Sequence, residues 1–324
     1  MFQPSLTYEW PRNHCGTRVS AFSPSVMPNS PDSISRPLAA ALLLLIATTF
    51  ASNHIAARLA FDHGVNVLTA VTFRSITTAL VVWGLMRVTG VSRALHGAAW
   101  WQVLMFGLVI TAQSLFLYSA VARIPVALAL LTFNTFPIML AIISWCAGAE
   151  RPARQVAVAM PIALFGLTMA LGVVGSSGFA LGPSFAAGVA FALGASFAFS
   201  VTLFLTTRWF KAVDGRMRSF IGMGVVGVVA LAMGVAIDGF ALPRDSTGWI
   251  GLVLLTMFYG IAITSLFVLL PRVGAVNNAA IMNFEPVAAL TLGWLILDQT
   301  LRPVQIAGIV VVIGAIVMVA TAKR

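Results

Sequence analysis

Ten runs of about 20 mainly apolar residues succeed one another along this sequence, each long enough for a helix to cross a hydrocarbon layer of roughly 30 Å. They fall near Leu38–Ala57, Val67–Met86, Ala99–Val121, Val126–Trp145, Val156–Val174, Phe185–Thr206, Phe220–Ile237, Trp249–Leu270, Val276–Leu297 and Val304–Ala320. The runs are continuously apolar rather than alternating, which disfavours a β-barrel. With 60% hydrophobic and 9% charged residues in 324, the chain lacks the polar surface of a soluble globule, in which about 25% of residues are charged. The expected class is an all-α, polytopic membrane protein embedded in the lipid bilayer. Two cysteines, Cys15 and Cys146, are too few for a disulfide framework and show no metal-ligand spacing. Neither a metal nor a cofactor is expected.

Residues 1–36 are rich in Pro, Ser and Asn and hold no apolar stretch long enough for a signal peptide. A disordered cytoplasmic tail is expected there, with Met27 as an alternative start. Orientation follows from the loops. Of 19 Lys and Arg residues, a cytoplasmic N-terminus leaves only Arg58, Arg123, Arg244 and Arg302 outside and Arg74 within a span. All the others fall inside, so both termini are expected in the cytoplasm of an inner-membrane protein. The net charge of +10 then reflects this bias and anionic lipid. No basic run interleaved with aromatics points to nucleic acid. Trp100, Trp101, Trp145, Trp209, Trp249 and Trp294 lie at span ends, where an interfacial belt belongs.

The chain repeats itself. A shift of 149 residues places Arg123 on Arg272, Asn134 on Asn283, Pro137 on Pro286 and Trp145 on Trp294. Two five-helix units are therefore expected, at 38–174 and 183–320, joined by the Gly-rich segment Gly172–Gly182. Five is odd, so the second unit enters the membrane from the opposite side. Such inverted repeats are typical of secondary transporters, with the substrate site near the midplane between the halves. Small residues spaced by four, namely Ala190, Gly194 and Ala198 and also Ala230 and Gly234, suit close helix approach.

The repeat ends carry a family resemblance. The second reads N-F-E-P-V-A-A-L-T-L-G-W-L-I-L-D-Q-T-L-R-P-V-Q-I-A-G-I-V-V-V-I-G from Asn283, and the first F-P-I-M-L-A-I-I-S-W-C-A-G-A-E-R from Phe136. The opening helix reads F-A-S-N-H-I-A-A-R. Together these resemble the drug/metabolite transporter superfamily, and within it the ten-helix EamA-type exporters. The resemblance implies movement of amino acids, other metabolites or toxic compounds across the cytoplasmic membrane, mostly outward. Three positions depart from the pattern: His54 stands where an aromatic is usual, Asp298 where Glu is usual, and Phe136 where the second repeat has Glu285.

Polar groups inside the spans cost free energy and so need a reason; a central charge costs at least ~2.5–3.5 kcal/mol. Glu285 falls about ten residues into the ninth run, near the midplane, and precedes Pro286, which frees a carbonyl one turn earlier. It can bind a cation, carry a proton or lock two helices. Arg74 suits the carboxylate of a substrate and equally a bridge to Glu285, the two meeting across the central cavity. Asn53 and His54 come late in the first span, and His54 can relay a proton. Asn134 and Asn283 are repeat mates near the midplane, able to bind substrate or join helices. Tyr118 and Tyr259 are less specific.

An intramembrane protease would need paired Asp residues, a Ser–His pair or H-E-x-x-H within the spans; the spans contain no Asp and the sequence no H-E-x-x-H. It has no P-loop, so direct ATP coupling is not expected. The reading is a ten-helix carrier whose small-molecule substrate contacts Asn53, His54, Arg74, Asn134, Asn283 and Glu285, with Glu285 and His54 in proton coupling. An enzyme or a non-transporting scaffold is the alternative, and a homodimer is left open.

Overall fold

A computed structural model describes residues 36–90, 99–148, 154–170, 182–210, 213–273, 284–299 and 302–320. The expected tail, the linker at 172–181 and Asn283 lie outside the described residues. Among those described there is no strand. The helices are α1 (Arg36–Asp62), α2 (Val67–Thr89), α3 (Trp100–Val121), α4 (Val126–Phe133), α5 (Phe136–Cys146), α6 (Arg154–Ala170), α7 (Pro183–Trp209), α8 (Gly215–Ala236), α9 (Ser246–Val273), α10 (Glu285–Leu297) and α11 (Pro303–Ala320). Seven stretches are long and apolar enough to cross a membrane, and Pro161–Ala170, Glu285–Leu297 and Pro303–Ala315 are shorter apolar helices.

Local chemistry sets the ends of these helices. Asn66 caps α2 by accepting from the Thr69 N–H at 2.9 Å, satisfying a donor that has no partner within the helix. Gly90 closes the same helix at φ 64°, its N–H donating to the Met86 carbonyl, a left-handed turn that glycine adopts without strain. Asp214 caps α8 by accepting from the Arg216 N–H.

The fourth expected span is present as one apolar stretch, Val126–Cys146, but its helix is not continuous: it is two helices, α4 and α5, broken at Asn134 and Thr135. Pro137 has no N–H to continue the ladder, so the chain resets one turn earlier. The Asn134 side-chain amide donates to the Leu130 carbonyl at 2.8 Å, and the Thr135 hydroxyl to the Thr132 carbonyl at 2.8 Å. From α7, the Ser200 hydroxyl donates to the Phe136 carbonyl at 2.9 Å. Of the expected ninth span, the described part starts at Glu285, which places this residue at the head of α10.

Helix packing repeats the sequence duplication. Taking α4 with α5 as one unit, α1 packs on α9 and α3 on α7, while α2 meets α8 and α6 meets α11. Exchanging the repeats turns the first pair into the second and maps each of the last two onto itself, as a two-fold axis between the halves requires. The weaker contacts obey the same rule, α3 with α8 matching α2 with α9. Individual residues agree: Phe116 lies against Gly194, and the 149-residue shift carries this pair to Ser265 and Leu45, which line one groove.

Close approach depends on small residues. A Cβ on Gly308 would strike the Ala170 backbone nitrogen and the Gly166 carbonyl oxygen, so α6 and α11 touch backbone to backbone. Gly251 packs likewise on Ala60 and Ala56 of α1. Of the expected small-residue positions, Ala198 and Ala230 are buried, Ala190 is exposed, and Gly234 faces Phe240 of the following loop. The tryptophans Trp100, Trp101, Trp145, Trp249 and Trp294 are exposed.

Candidate functional site

Five helices from both repeats bring one polar cluster together inside the bundle. Asn53 and His54 are consecutive on α1, so their side chains leave the helix about 100° apart and serve different neighbours. Asn53 is wholly buried, and its Oδ1 accepts from the Tyr118 hydroxyl of α3 at 3.0 Å. His54 points to α10, its Nε2 3.5 Å from Glu285 Oε1. The His54 and Tyr118 rings lie 5.6 Å apart, which links the two branches.

Arg74 of α2 forms the other end of the cluster. It is 3% exposed, with its guanidinium between two aromatic faces, 4.7 Å from the centre of Tyr118 and 4.0 Å from that of Tyr259 on α9. Ring quadrupoles attract a cation held in this way. One terminal nitrogen donates to the Ser114 hydroxyl at 3.1 Å. Among the described residues the ion pairs are His54–Glu285, Arg58–Asp62, His63–Asp245 and Arg216–Asp214. Arg74 therefore has no carboxylate partner among the described residues, and the bridge to Glu285, one of the alternatives for it, is not formed. The cation and the carboxylate stand apart, with His54 and Tyr118 between them.

Three buried nitrogens of this cluster have no hydrogen-bond partner among the described residues: Asn53 Nδ2, His54 Nδ1 and Arg74 Nε. Leaving such groups unpaired costs about 1–3 kcal/mol each, and a bound polar molecule would recover it. A groove of about 340 Å³ lies between α1 and α9, lined by Leu42, Leu45, Ile46 and Ile261 together with Thr49, Ala262, Thr264 and Ser265. Thr49 lies one turn before Asn53, and Ala262 one turn after Tyr259.

The other expected site residues fare differently. Asn134 is buried, and its amide is spent on the helix break. Its mate Asn283 lies outside the described residues. Phe136, the counterpart of Glu285, packs among Phe133 and Phe199 instead of polar groups. Sequence reading underrated Tyr118, Tyr259 and Ser114. The composition offered one signal: the chain has only three tyrosines, and two of them converge on one arginine.

Asp298, where Glu was expected from the resemblance, ends α10 in the left-handed conformation at φ 52°. Asp and Asn visit that region more readily than longer side chains, which accounts for the shorter acid.

No curated protein matches the chain. Among solved structures 17 chains match; one, described as "Crystal structure of protein", has a TM-score of 0.59 at 19% identity and covers 89% of this chain and 97% of its own. That likeness concerns the fold. The model of the EamA-like transporter family matches twice, at residues 37–172 and 186–321. With both halves so accounted for, and their helices paired about a two-fold axis, the chain is a multi-pass membrane protein that belongs to the EamA-like transporter family.

Proposed function

We propose that this transporter exports amino acids or closely related small zwitterionic metabolites across the inner membrane by alternating access, coupled to protons. The observation that carries the reading is the dipolar cluster: at one end a buried guanidinium without a carboxylate partner among the described residues, and a His–Glu pair at the other. Arg74 would take the substrate carboxylate through paired N–H donors, and Glu285 the ammonium group. Unpaired charge inside a bilayer is costly, so Glu285 holds a cation partner or a proton. When substrate is absent, His54 is the neighbour able to exchange that proton. Rocking of the halves about their shared axis would expose the cluster to each side in turn. The basic loops support a cytoplasmic position for both termini.

The test is efflux from proteoliposomes loaded with labelled amino acids, with and without an imposed pH gradient. Gradient-stimulated export that disappears in Glu285→Gln is the expected result. Export indifferent to the gradient would reduce the protein to a facilitator, and no export of any amino acid would overturn the substrate class.

A further inference from the structure

Ten residues beyond Asn53 along α1, roughly 15 Å at 1.5 Å per residue, the first repeat is stitched to the second. The α1–α2 corner (His63 to Asn66) faces the α8–α9 corner (Asp238 to Asp245), and four polar links join them. His63 Nδ1 lies 2.7 Å from Asp245 Oδ2. The Arg244 N–H donates to the His63 carbonyl at 3.1 Å. The Asn66 side-chain amide donates to the Gly239 carbonyl, and the Ala241 N–H to the Thr69 hydroxyl at 3.1 Å. Both chains are shaped for this contact. Gly64 sits at φ 96°, where other residues are strained, and a Cβ there would also press on the Arg244 side chain. Asp245 joins two elements, since its second oxygen accepts from the Gly248 N–H at the start of α9 at 2.8 Å.

The links lie on one side of the polar cluster, and the groove of Thr49 and Thr264 lies on the other. The cluster thus has a laced seam toward the C-terminal end of α1. Asp245 and Asn66 each bond both their own helix start and the opposite corner, so the halves cannot separate there without breaking several bonds at once. Other charged groups on these corners and the elements packed against them are Asp238, Arg244, Arg123 and the Arg58–Asp62 pair.

We propose that these two corners are a clasp that shuts the site on the α1–α2 face of the membrane and parts during the transport cycle. The inference rests on the transport reading for what passes through, but the motion can be measured without any solute. Cysteines replace His63 and Gly248 in a background in which Cys15 and Cys146 are serine. A Cβ on residue 248 would stand 3.0 Å from that of His63, close to the 3.5–4.5 Å of a disulfide. Ser114→Cys beside Arg74 serves as the reporter, labelled by a membrane-impermeant maleimide applied to the α1–α2 face of vesicles of known sidedness and read on the peptide of residue 114 alone, because the reduced thiols at positions 63 and 248 also react; export is measured separately on protein with Ser114 intact. Oxidation is expected to cut the labelling rate at least tenfold, and reduction to restore it. Labelling that is indifferent to oxidation, or absent even when the pair is reduced, overturns the clasp, and so does failure of the 63–248 pair to oxidise. If labelling follows the clasp while no amino acid is exported, the clasp stands and the proposed substrate falls.

Discussion

Replacing Arg74 by Met separates a structural arginine from one held for a ligand. Each ring face, at 4.7 and 4.0 Å, contributes about 1–2 kcal/mol to a desolvated cation. The bond to Ser114 at 3.1 Å adds about 1.5–3 kcal/mol. Against this stand the ~2.5–3.5 kcal/mol cost of a charge within the bilayer and about 1–3 kcal/mol for the unpaired Nε. The two sides nearly cancel. Methionine is unbranched and fills irregular space between rings, so the Arg74→Met protein should unfold within about 2 kcal/mol of the parent. Its loss should appear in transport: a missing charge-assisted bond of about 1.5–3 kcal/mol raises KM roughly 10- to 150-fold for substrates with a carboxylate. Arg74→Lys keeps the charge but loses the planar fork and stacking, and should fall between. Thermal unfolding in detergent and concentration-dependent flux in proteoliposomes are measured on the same preparations. A collapse in stability with KM unchanged in the folded remainder would refute the reasoning and make Arg74 a structural strut.

Three further outcomes are expected. Glu285→Gln should abolish stimulation of export by a pH gradient and also weaken substrate exchange at equal pH, because the same carboxylate holds the ammonium group; wild-type stimulation would remove Glu285 from coupling. Gly308→Val should lower the detergent Tm by overpacking the α6–α11 seam, at about 1–3 kcal/mol or more, whereas Gly224→Ala, with open space around it, should not; equal effects would contradict the backbone contact. Asp245 is held below its ordinary carboxyl value of 3.8 by hydrogen bonds from the Gly248 N–H and from His63. A lowered value means that its contribution is complete above 3.8 and is lost as the pH falls further. The distance between spin labels on the two corners should therefore increase, reversibly, as the pH falls below 3.8, and a flat profile would exclude Asp245 as a link.

The fold was legible because membrane burial writes itself into one dimension: spans need long apolar runs, and α2, α3 and α7 begin and end within a few residues of theirs. The duplication was legible for a similar reason, since Pro137 and Pro286 recur with Asn134 and Asn283 at one shift in the two halves. What local patterning could not give was the consequence of Pro137. A hydropathy run counts apolar side chains and is blind to a missing N–H, so α4 and α5 read as one helix. The site was half legible. Rarity of charge within spans picked out Arg74 and Glu285, but which residues they face depends on contacts between helices far apart in sequence. Tyr118 and Tyr259 are ordinary aromatics until α3 and α9 bring them to the same guanidinium.

The two halves share a frame but not a chemistry. Under the 149-residue shift Asn53, His54, Arg74 and Tyr118 fall on Thr202, Leu203, Met223 and Phe267, and Glu285 falls on Phe136. Every charge of the cluster thus has an uncharged counterpart, and of the four donors only Asn53 has a polar one, the Thr202 hydroxyl. A symmetric frame lets each face of the membrane open by the same packing change, because α1 on α9 and α3 on α7 are equivalent seams. On the proposed reading, a cluster whose charges lie on one copy of each equivalent pair would hold a zwitterion in a single orientation, cation end to Glu285 and anion end to Arg74. Duplication accounts for the movement, and the later loss of symmetry accounts for recognition.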